Sequence, residues 1–342
     1  MTRLLPTSRT PEARSAPPLR WGILGPGWIA QRFVSALRKH TTQQVTAVGS
    51  RSMTRADDFA RRMDIPVAHG GYEALLSDPG VDIVYVSTPH PHHHRCALDA
   101  VAAGKHVLVE KPMGLNASQA AEVFAAARGA GVFAGEAMWT RFLPKFDVLG
   151  QLLSDGLLGT PGTVVADHGE FFTTDHRIYD PELAGGPMLD LGTYPIAFAS
   201  WVLGEVTDLH ALGQAANHEL NGQISATMSH ADGGQSLLTT TILADTPTSA
   251  FIAGTDGYLS MPGPFYQPGP FTVTMRDGEF LVHDEEKGGH EDGLHFSAVE
   301  AARRVAVGAV ESAIHPHRDV VATLEIMDRI RADIGIVFAD ER

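Results

Sequence analysis

The chain has 342 residues, long enough for two packed domains, and 44% of them are hydrophobic, enough to fill two cores. Its formal net charge of −14 argues against a nucleic-acid surface, which needs a basic stripe. A single cysteine, Cys96, excludes an intrachain disulfide and a cysteine-based zinc site, and no apolar run approaches the roughly 20 residues of a membrane span.

Residues 1–19 are rich in Pro, Ser, Thr and Arg. They lack the apolar stretch of roughly 7–15 residues that a secretory signal needs. Pro6, Pro11, Pro17 and Pro18 oppose the amphipathic helix of a transit peptide. The expectation is a disordered tail on a cytoplasmic protein.

From residue 20 to about 141 strand-like and helix-like segments alternate. Strands are expected at 20–24, 44–49, 82–87, 105–110 and 132–138. Helices are expected at 28–39, 54–63, 93–103 and 118–129, with Ser52 or Thr54 capping the second and Gly104 ending the third. A βαβα order implies a doubly wound parallel sheet whose ligand lies beyond the carboxyl ends of the strands. After Phe142 a helix at 144–153 leads into longer alternating strands at 162–172, 205–212, 223–231, 236–243 and 250–261. Turns such as Asp232-Gly233-Gly234, Asp256-Gly257 and Asp277-Gly278 separate several strand-like runs. Two helices, near 292–308 and 318–336, close the chain. The fold class is therefore α/β: an N-terminal Rossmann-type domain (20–141) and a C-terminal α/β domain (142–342) with a large, mostly antiparallel open sheet.

Gly25-Pro26-Gly27-Trp28-Ile29-Ala30 fits G-x-G-x-x-A between a predicted strand and a predicted helix. Glycines there let the backbone approach a pyrophosphate, whose charge meets the helix N-terminus. Gly25, Gly27, Trp28 and Ile29 are the expected contacts. A Gly-rich turn without a ligand is the plain alternative, and the βαβ setting weighs against it. An NAD site carries an acid roughly 20 residues further on, but here the second strand ends Val48-Gly49-Ser50-Arg51, with no acid before Asp57. Arg51 and Ser50, with Arg55 one turn later, suit a ribose 2′-phosphate. NADP is favoured over NAD.

Lys111 lies in Val107-Leu108-Val109-Glu110-Lys111-Pro112, where cofactor and substrate could meet. A second polar constellation is Gly185-Gly186-Pro187-Met188-Leu189-Asp190-Leu191-Gly192-Thr193-Tyr194. Together they point to hydride transfer between an alcohol and a nicotinamide. A free tyrosine titrates near pH 10; a nearby Lys111 ammonium would favour the Tyr194 phenolate as base and stabilise a developing alkoxide. Asp190 is four residues before Tyr194, on the same helical face, and can orient substrate or the lysine. Gly185 and Gly186 would leave room for a ligand. Trp139 and Arg141, after the last Rossmann strand, and His176 and Arg177, before Gly185, are further substrate candidates. Each has a structural alternative: a sheet-edge lysine, a carboxylate on a backbone amide, a packed tyrosine. His90, His92, His93 and His94 cluster, but no paired carboxylate or cysteine completes a metal site, so none is assigned.

The fingerprint, the run Ser87-Thr88-Pro89-His90-Pro91-His92-His93, Glu110-Lys111-Pro112 and Gly185-Gly186-x-x-x-Asp190-x-Gly192-x-Tyr194 resemble the glucose–fructose oxidoreductase/inositol dehydrogenase (Gfo/Idh/MocA) family, over about residues 20–338. Glu136-Ala137-Met138-Trp139-Thr140-Arg141-Phe142-Leu143-Pro144 is similar to the branch of dimeric dihydrodiol dehydrogenases and NADP-dependent D-xylose dehydrogenases. The resemblance implies an NADP-dependent oxidoreductase acting on a sugar, cyclic polyol or dihydrodiol, paired as a homodimer or homotetramer through the C-terminal sheet. It implies that Lys111 lies near the nicotinamide and the reacting oxygen, with Glu110 of the same motif at the cofactor. Thr88, Pro89, His90 and His93 match the loop bordering the nicotinamide. Two positions depart from wider family patterns: Tyr194 stands where inositol-type members have histidine, and His90 where asparagine is frequent. Two rival activities remain: a nicotinamide-dependent glycosidase with no net cofactor change, and a non-catalytic NADP sensor. Lys111, Asp190 and Tyr194 together oppose the sensor.

Overall fold

The computed structural model describes residues 3–217 and 220–339. Its contacts separate two compact units. The first is built on β1 (Arg20–Leu24), α1 (Trp28–His40), β2 (Gln44–Gly49), α2 (Met53–Arg62), β3 (Val67–His69), α3 (Tyr72–Leu76), β4 (Ile83–Val86), α4 (His93–Ala102), β5 (His106–Val109), α5 (Ala117–Ala130) and β6 (Ala134–Glu136). Its strands form a six-stranded sheet in the order β3-β2-β1-β4-β5-β6, and every pairing is parallel. β4 is buried at all four positions, and β1 and β5 are buried at all but their first. That pattern belongs to strands covered on both faces. Order along the sheet reverses beside β1, so the loops after β1, β2, β4, β5 and β6 emerge at one edge, where ligands of such sheets bind.

The second unit contains α6 (Pro144–Ser154), β7 (Pro161–Gly169), α7 (Thr193–Leu203), β8 (Val206–Ala215), β9 (Asn221–His230), β10 (Gln235–Thr241), β11 (Ala250–Gly254), β12 (Gly257–Met261), β13 (Phe271–Met275) and β14 (Phe280–His283). Its eight strands run β14-β13-β12-β11-β7-β10-β9-β8, antiparallel except where β10 lies parallel to β7. Burial alternates along β9 and β10, as it does in a sheet with one packed face. α7 covers β7 and β10. After α8 (His290–Gly293) and α9 (His295–Ala306), α10 (His317–Ile334) is the last helix.

Several expectations need correction. The run 250–261 is two strands hinged at Thr255-Asp256, and residues 271–275 and 280–283 form two more. Residues 289–321 group with the first unit rather than with the rest of the C-terminal half; α9 packs on α1 and β5. Residues 3–19 are not a disordered tail, and only Met1 and Thr2 of that segment lie outside the described residues. In the second unit Arg3 pairs with Asp277 and Glu279 at 2.7 Å each, and Arg9 pairs with Asp147. In the first unit Ala16 is buried against Val299 and Ala302, and the Gln43 amide donates to the Pro17 carbonyl. Prolines restrict the unfolded chain as well as the folded one, so a Pro-rich extended segment needs few contacts to order it. Those contacts come from residues 26 to 286 positions away, which a compositional reading does not register.

Candidate active site

The loop after β1 shows why its glycines are glycines. Gly25 has φ +92°, and a Cβ there would lie 2.8 Å from the Ser87 carbonyl oxygen. Gly27 caps α1 without a side-chain hydrogen bond, and a Cβ on it would meet nothing within 4 Å. The N-terminus of α1 thus has open space beside Gly27. No acid lies in that turn, while Arg38, Lys39 and His40 occupy the last one, so charge and helix dipole agree. Such an end suits a pyrophosphate. Trp28, at the first turn of α1, is 60% exposed and carries the Arg32 guanidinium 5.7 Å over its ring.

At the end of β2, Ser50 is buried and its hydroxyl accepts from the Ser52 amide at 3.3 Å. Ser52 in turn caps α2 by accepting from Arg55 N–H. Arg51 and Arg55 are exposed. Both act on Tyr72, where burial raises the phenol's pKa and the two arginines oppose the rise. Two exposed cations thus act on Tyr72, with no carboxylate at the strand end.

The loops after β4 and β5 are tied together. His93 is 1% exposed; its Nδ1 lies 2.8 Å from the Pro112 carbonyl and its Nε2 2.7 Å from the Thr88 carbonyl. Burial lowers its pKa, and the two carbonyls work against that. Its ring lies between the two loops, and as a neutral imidazole it donates to one of the two carbonyls. His90 packs edge-on against it at 5.5 Å, next to Pro89. Glu110 turns inward: the Tyr85 hydroxyl donates to its carboxylate, and Phe33 stacks on Tyr85 at 3.7 Å. Burial pushes Glu110 up to about 7, while Tyr85 and the neighbouring Lys111 charge pull the other way. Lys111 also depresses His93, so its ammonium sits within electrostatic reach of both. The Lys111–Pro112 peptide is cis, and the next amide, Met113 N–H, donates to Glu136 at 2.8 Å.

Of the two expected substrate contacts in this unit, Trp139 is buried and Arg141 is partly exposed. Trp139 is 1% exposed and packs on His290 at 5.2 Å. Arg141 donates to the Ile314 carbonyl, and burial lowers its pKa to about 9 despite Asp319 nearby. The histidine cluster is dispersed: His94 Nε2 lies 2.9 Å from Glu122, while His93 faces carbonyls. Among the described residues no three potential ligands gather to hold a metal, and no helix is long and apolar enough to cross a membrane.

In the second unit a π-type turn, Met188–Gly192, precedes α7; such turns recur at functional sites. It presents Asp190, which accepts from Arg177 at 2.9 and 3.4 Å. Arg177 is half exposed and Asp190 mostly buried. His176 caps the short turn that carries Arg177 by accepting from Ile178 N–H. Tyr194, 5% exposed, stacks on Tyr266 at 4.3 Å, and His168 packs on Tyr266 at 4.8 Å. His168 Nδ1 donates to the Leu191 carbonyl, so it props the same turn. Burial, then Glu170, raises Tyr266 to about 12, keeping it a neutral phenol. Gly185 does not make ligand space: a Cβ there would strike the Ile178 and Asp180 carbonyls at 2.5 and 2.8 Å. Sequence reasoning missed His168 and Tyr266; a lone His in a strand and a Tyr in a Pro-Gly-rich loop carry no spacing signal.

A dinucleotide-type sheet with a lysine loop at its carboxyl edge, joined in one chain to an open sheet, defines a nicotinamide-dependent oxidoreductase. Residues 19–137 match the model of the oxidoreductase family with NAD-binding Rossmann fold, and residues 146–260 match the GFO/IDH/MocA C-terminal domain. The chain belongs to the Gfo/Idh/MocA family and is an NAD(P)-dependent dehydrogenase. It is 34% identical over 332 residues to the trans-1,2-dihydrobenzene-1,2-diol dehydrogenase of Bos taurus, covering 95% of this chain and 99% of that protein. The protein of that name from Homo sapiens is 31% identical over 331 residues, with the same coverage. Among solved structures, KijD10, a 3-ketoreductase from Actinomadura kijaniata in complex with NADP and TDP-benzene, aligns with TM-score 0.80 and 26% identity, over 93% of this chain and 98% of that one. Levoglucosan dehydrogenase in complex with NADH and levoglucosan shares the fold at TM-score 0.84 and 16% identity, over 93% and 98% of the two chains.

Proposed function

We propose that the protein moves a hydride between NADP and a carbinol carbon of a sugar, cyclic polyol or dihydrodiol. The observation that carries this reading is the Lys111 loop, braced at the carboxyl edge of a dinucleotide-type sheet, in a chain related end to end to dihydrodiol dehydrogenases. The bound nicotinamide supplies the hydride acceptor for oxidation, or the donor for reduction. Lys111 holds the reacting oxygen and stabilises negative charge on it. Tyr194 takes the hydroxyl proton in oxidation and returns it in reduction. Asp190 fixes Arg177, and the pair orients substrate hydroxyls. Arg51, Arg55 and Ser50 hold the 2′-phosphate, and Gly25, Gly27 and α1 hold the pyrophosphate.

A second copy of the chain pairs through the open face of the eight-stranded sheet in this reading. Leu237, Phe251, Tyr258, Phe280 and Val282 are 37–60% exposed there, and Leu237 and Phe251 flank Val165 in register. An acidic chain with one cysteine suits the cytoplasm. The test is a panel of aldoses, cyclic diols and aryl glycosides, with NADP and NAD in parallel, followed by NADPH absorbance and aglycone release. Net NADP reduction on a sugar or diol is expected. Product release without net cofactor change would replace the reading with a glycosidase, and cofactor binding without turnover would replace it with a sensor.

A further inference from the structure

Glu136 is a buried carboxylate to which the proposed chemistry assigns no role. It ends β6 beside Val109, the last residue of β5. Its side chain is 3% exposed, and that of its partner His315 is 2% exposed. One carboxylate oxygen accepts from Met113 N–H at 2.8 Å. The other accepts from His315 Nε2 at 3.0 Å. His315 comes from the segment after α9, which is fixed to its surroundings: the Ser312 hydroxyl donates to Glu300 and accepts from the amides of Ile314 and His315. His317 Nε2 reaches the Ala134 carbonyl, and the Val310 carbonyl accepts from Ala134 N–H. The edge strand β6 is covered along its length by this segment.

Covering an edge does not require a charge. A buried ion pair is weak evidence for stability, since apolar residues of similar volume often serve as well or better. What the carboxylate alone does is grip a backbone amide two residues after Lys111, while His93 holds the Pro112 carbonyl between them. Pro112 leaves that stretch without a donor of its own, so Met113 N–H is the first amide after Lys111 by which the loop can be anchored.

We infer that the Glu136–His315 pair positions Lys111: a buried clasp on Met113 that fixes where the ammonium is delivered. The inference rests on Lys111 being catalytic, as proposed above. A displacement of about 1 Å can cost on the order of 100-fold in rate, so the clasp acts on kcat rather than on cofactor affinity.

The test uses the full chain with trans-1,2-dihydrobenzene-1,2-diol and D-xylose as probes. The paired variant Glu136→Met/His315→Phe deletes the clasp and leaves an apolar filling that keeps the fold. It should lower kcat by roughly 30-fold or more while NADPH affinity and melting temperature stay near those of the parent. Glu136→Gln, which still accepts from Met113, should restore most of the rate. Combined with Lys111→Met, the paired variant should cause no further loss, because residues acting through one another are non-additive. Amide exchange at Met113 should speed up in the paired variant and not in Glu136→Gln. Turnover retained in Lys111→Met would remove the catalytic assignment of the lysine, whereas the exchange result would still report the clasp. Full turnover in the paired variant, with Lys111→Met inactive, would overturn the positioning role, as would an additive loss in the triple variant.

Discussion

The residues assigned to cofactor and to substrate are held in different ways in the two units. Around Lys111 the loop is fixed by groups that are almost wholly buried: His93 on the Pro112 carbonyl, Glu136 on Met113 N–H, and Tyr85 on Glu110. Around Tyr194 the supports are stacked aromatic rings, the buried His168 on the Leu191 carbonyl, and the half-exposed Arg177 on Asp190. Buried hydrogen bonds gain strength in a dry interior, and the first unit concentrates more of them on one loop.

The largest effect expected from breaking the first set is at Lys111 itself. Lys111→Met should cut kcat about 1,000-fold, the upper range for losing a charge aimed at a developing oxyanion, with NADPH binding kept in a fluorescence titration. Tyr194→Phe keeps the stack on Tyr266 and deletes only the proton carrier. It should cost about 100-fold in kcat, and a loss confined to KM would return Tyr194 to a packing role.

Glu110 sharpens the contrast through stability. Its folded-state pKa of about 7 lies above the ordinary carboxylate value of 4.5, so the folded state binds the proton more tightly than the unfolded one. Stability is therefore lost as pH rises from about 4.5 to about 7, by up to ~3 kcal/mol. Glu110→Gln cannot ionise, so its denaturation midpoint should gain on the parent's across that window and run parallel to it outside. A constant offset across all pH values would contradict the raised pKa.

Arg51→Ala should weaken NADP about 10- to 50-fold, within the range of a charge-assisted phosphate contact, and leave NAD within twofold. Equal loss of both cofactors would place Arg51 outside the 2′-phosphate site.

The sequence made the first unit's loops readable because their chemistry is local. Gly25, Gly27, Arg51 and Lys111 each follow a short buried strand, and strand-plus-motif fixes their place at one sheet edge. The hairpin turns at Asp232, Asp256 and Asp277 were equally local and mark where the second sheet folds back. Partnerships across long separations were not readable. Tyr194 is stacked on Tyr266, and Glu136 is held by a histidine 179 residues away. Trp139 and Arg141 were expected at a ligand from position alone; their contacts with His290 and the Ile314 carbonyl come from residues 289–321. That segment's membership in the first unit has no signature in its own composition.

Because residues 310–317 close the edge of β6, the nucleotide-type domain stays unfinished while the ribosome is still making the eight-stranded sheet. A nascent chain that has emerged only to Phe142 carries an open strand, and unpaired strands invite association with other chains. Genes cut at the apparent domain border should therefore yield insoluble product, whereas appending residues 289–321 through a linker should give an independently folding dinucleotide module.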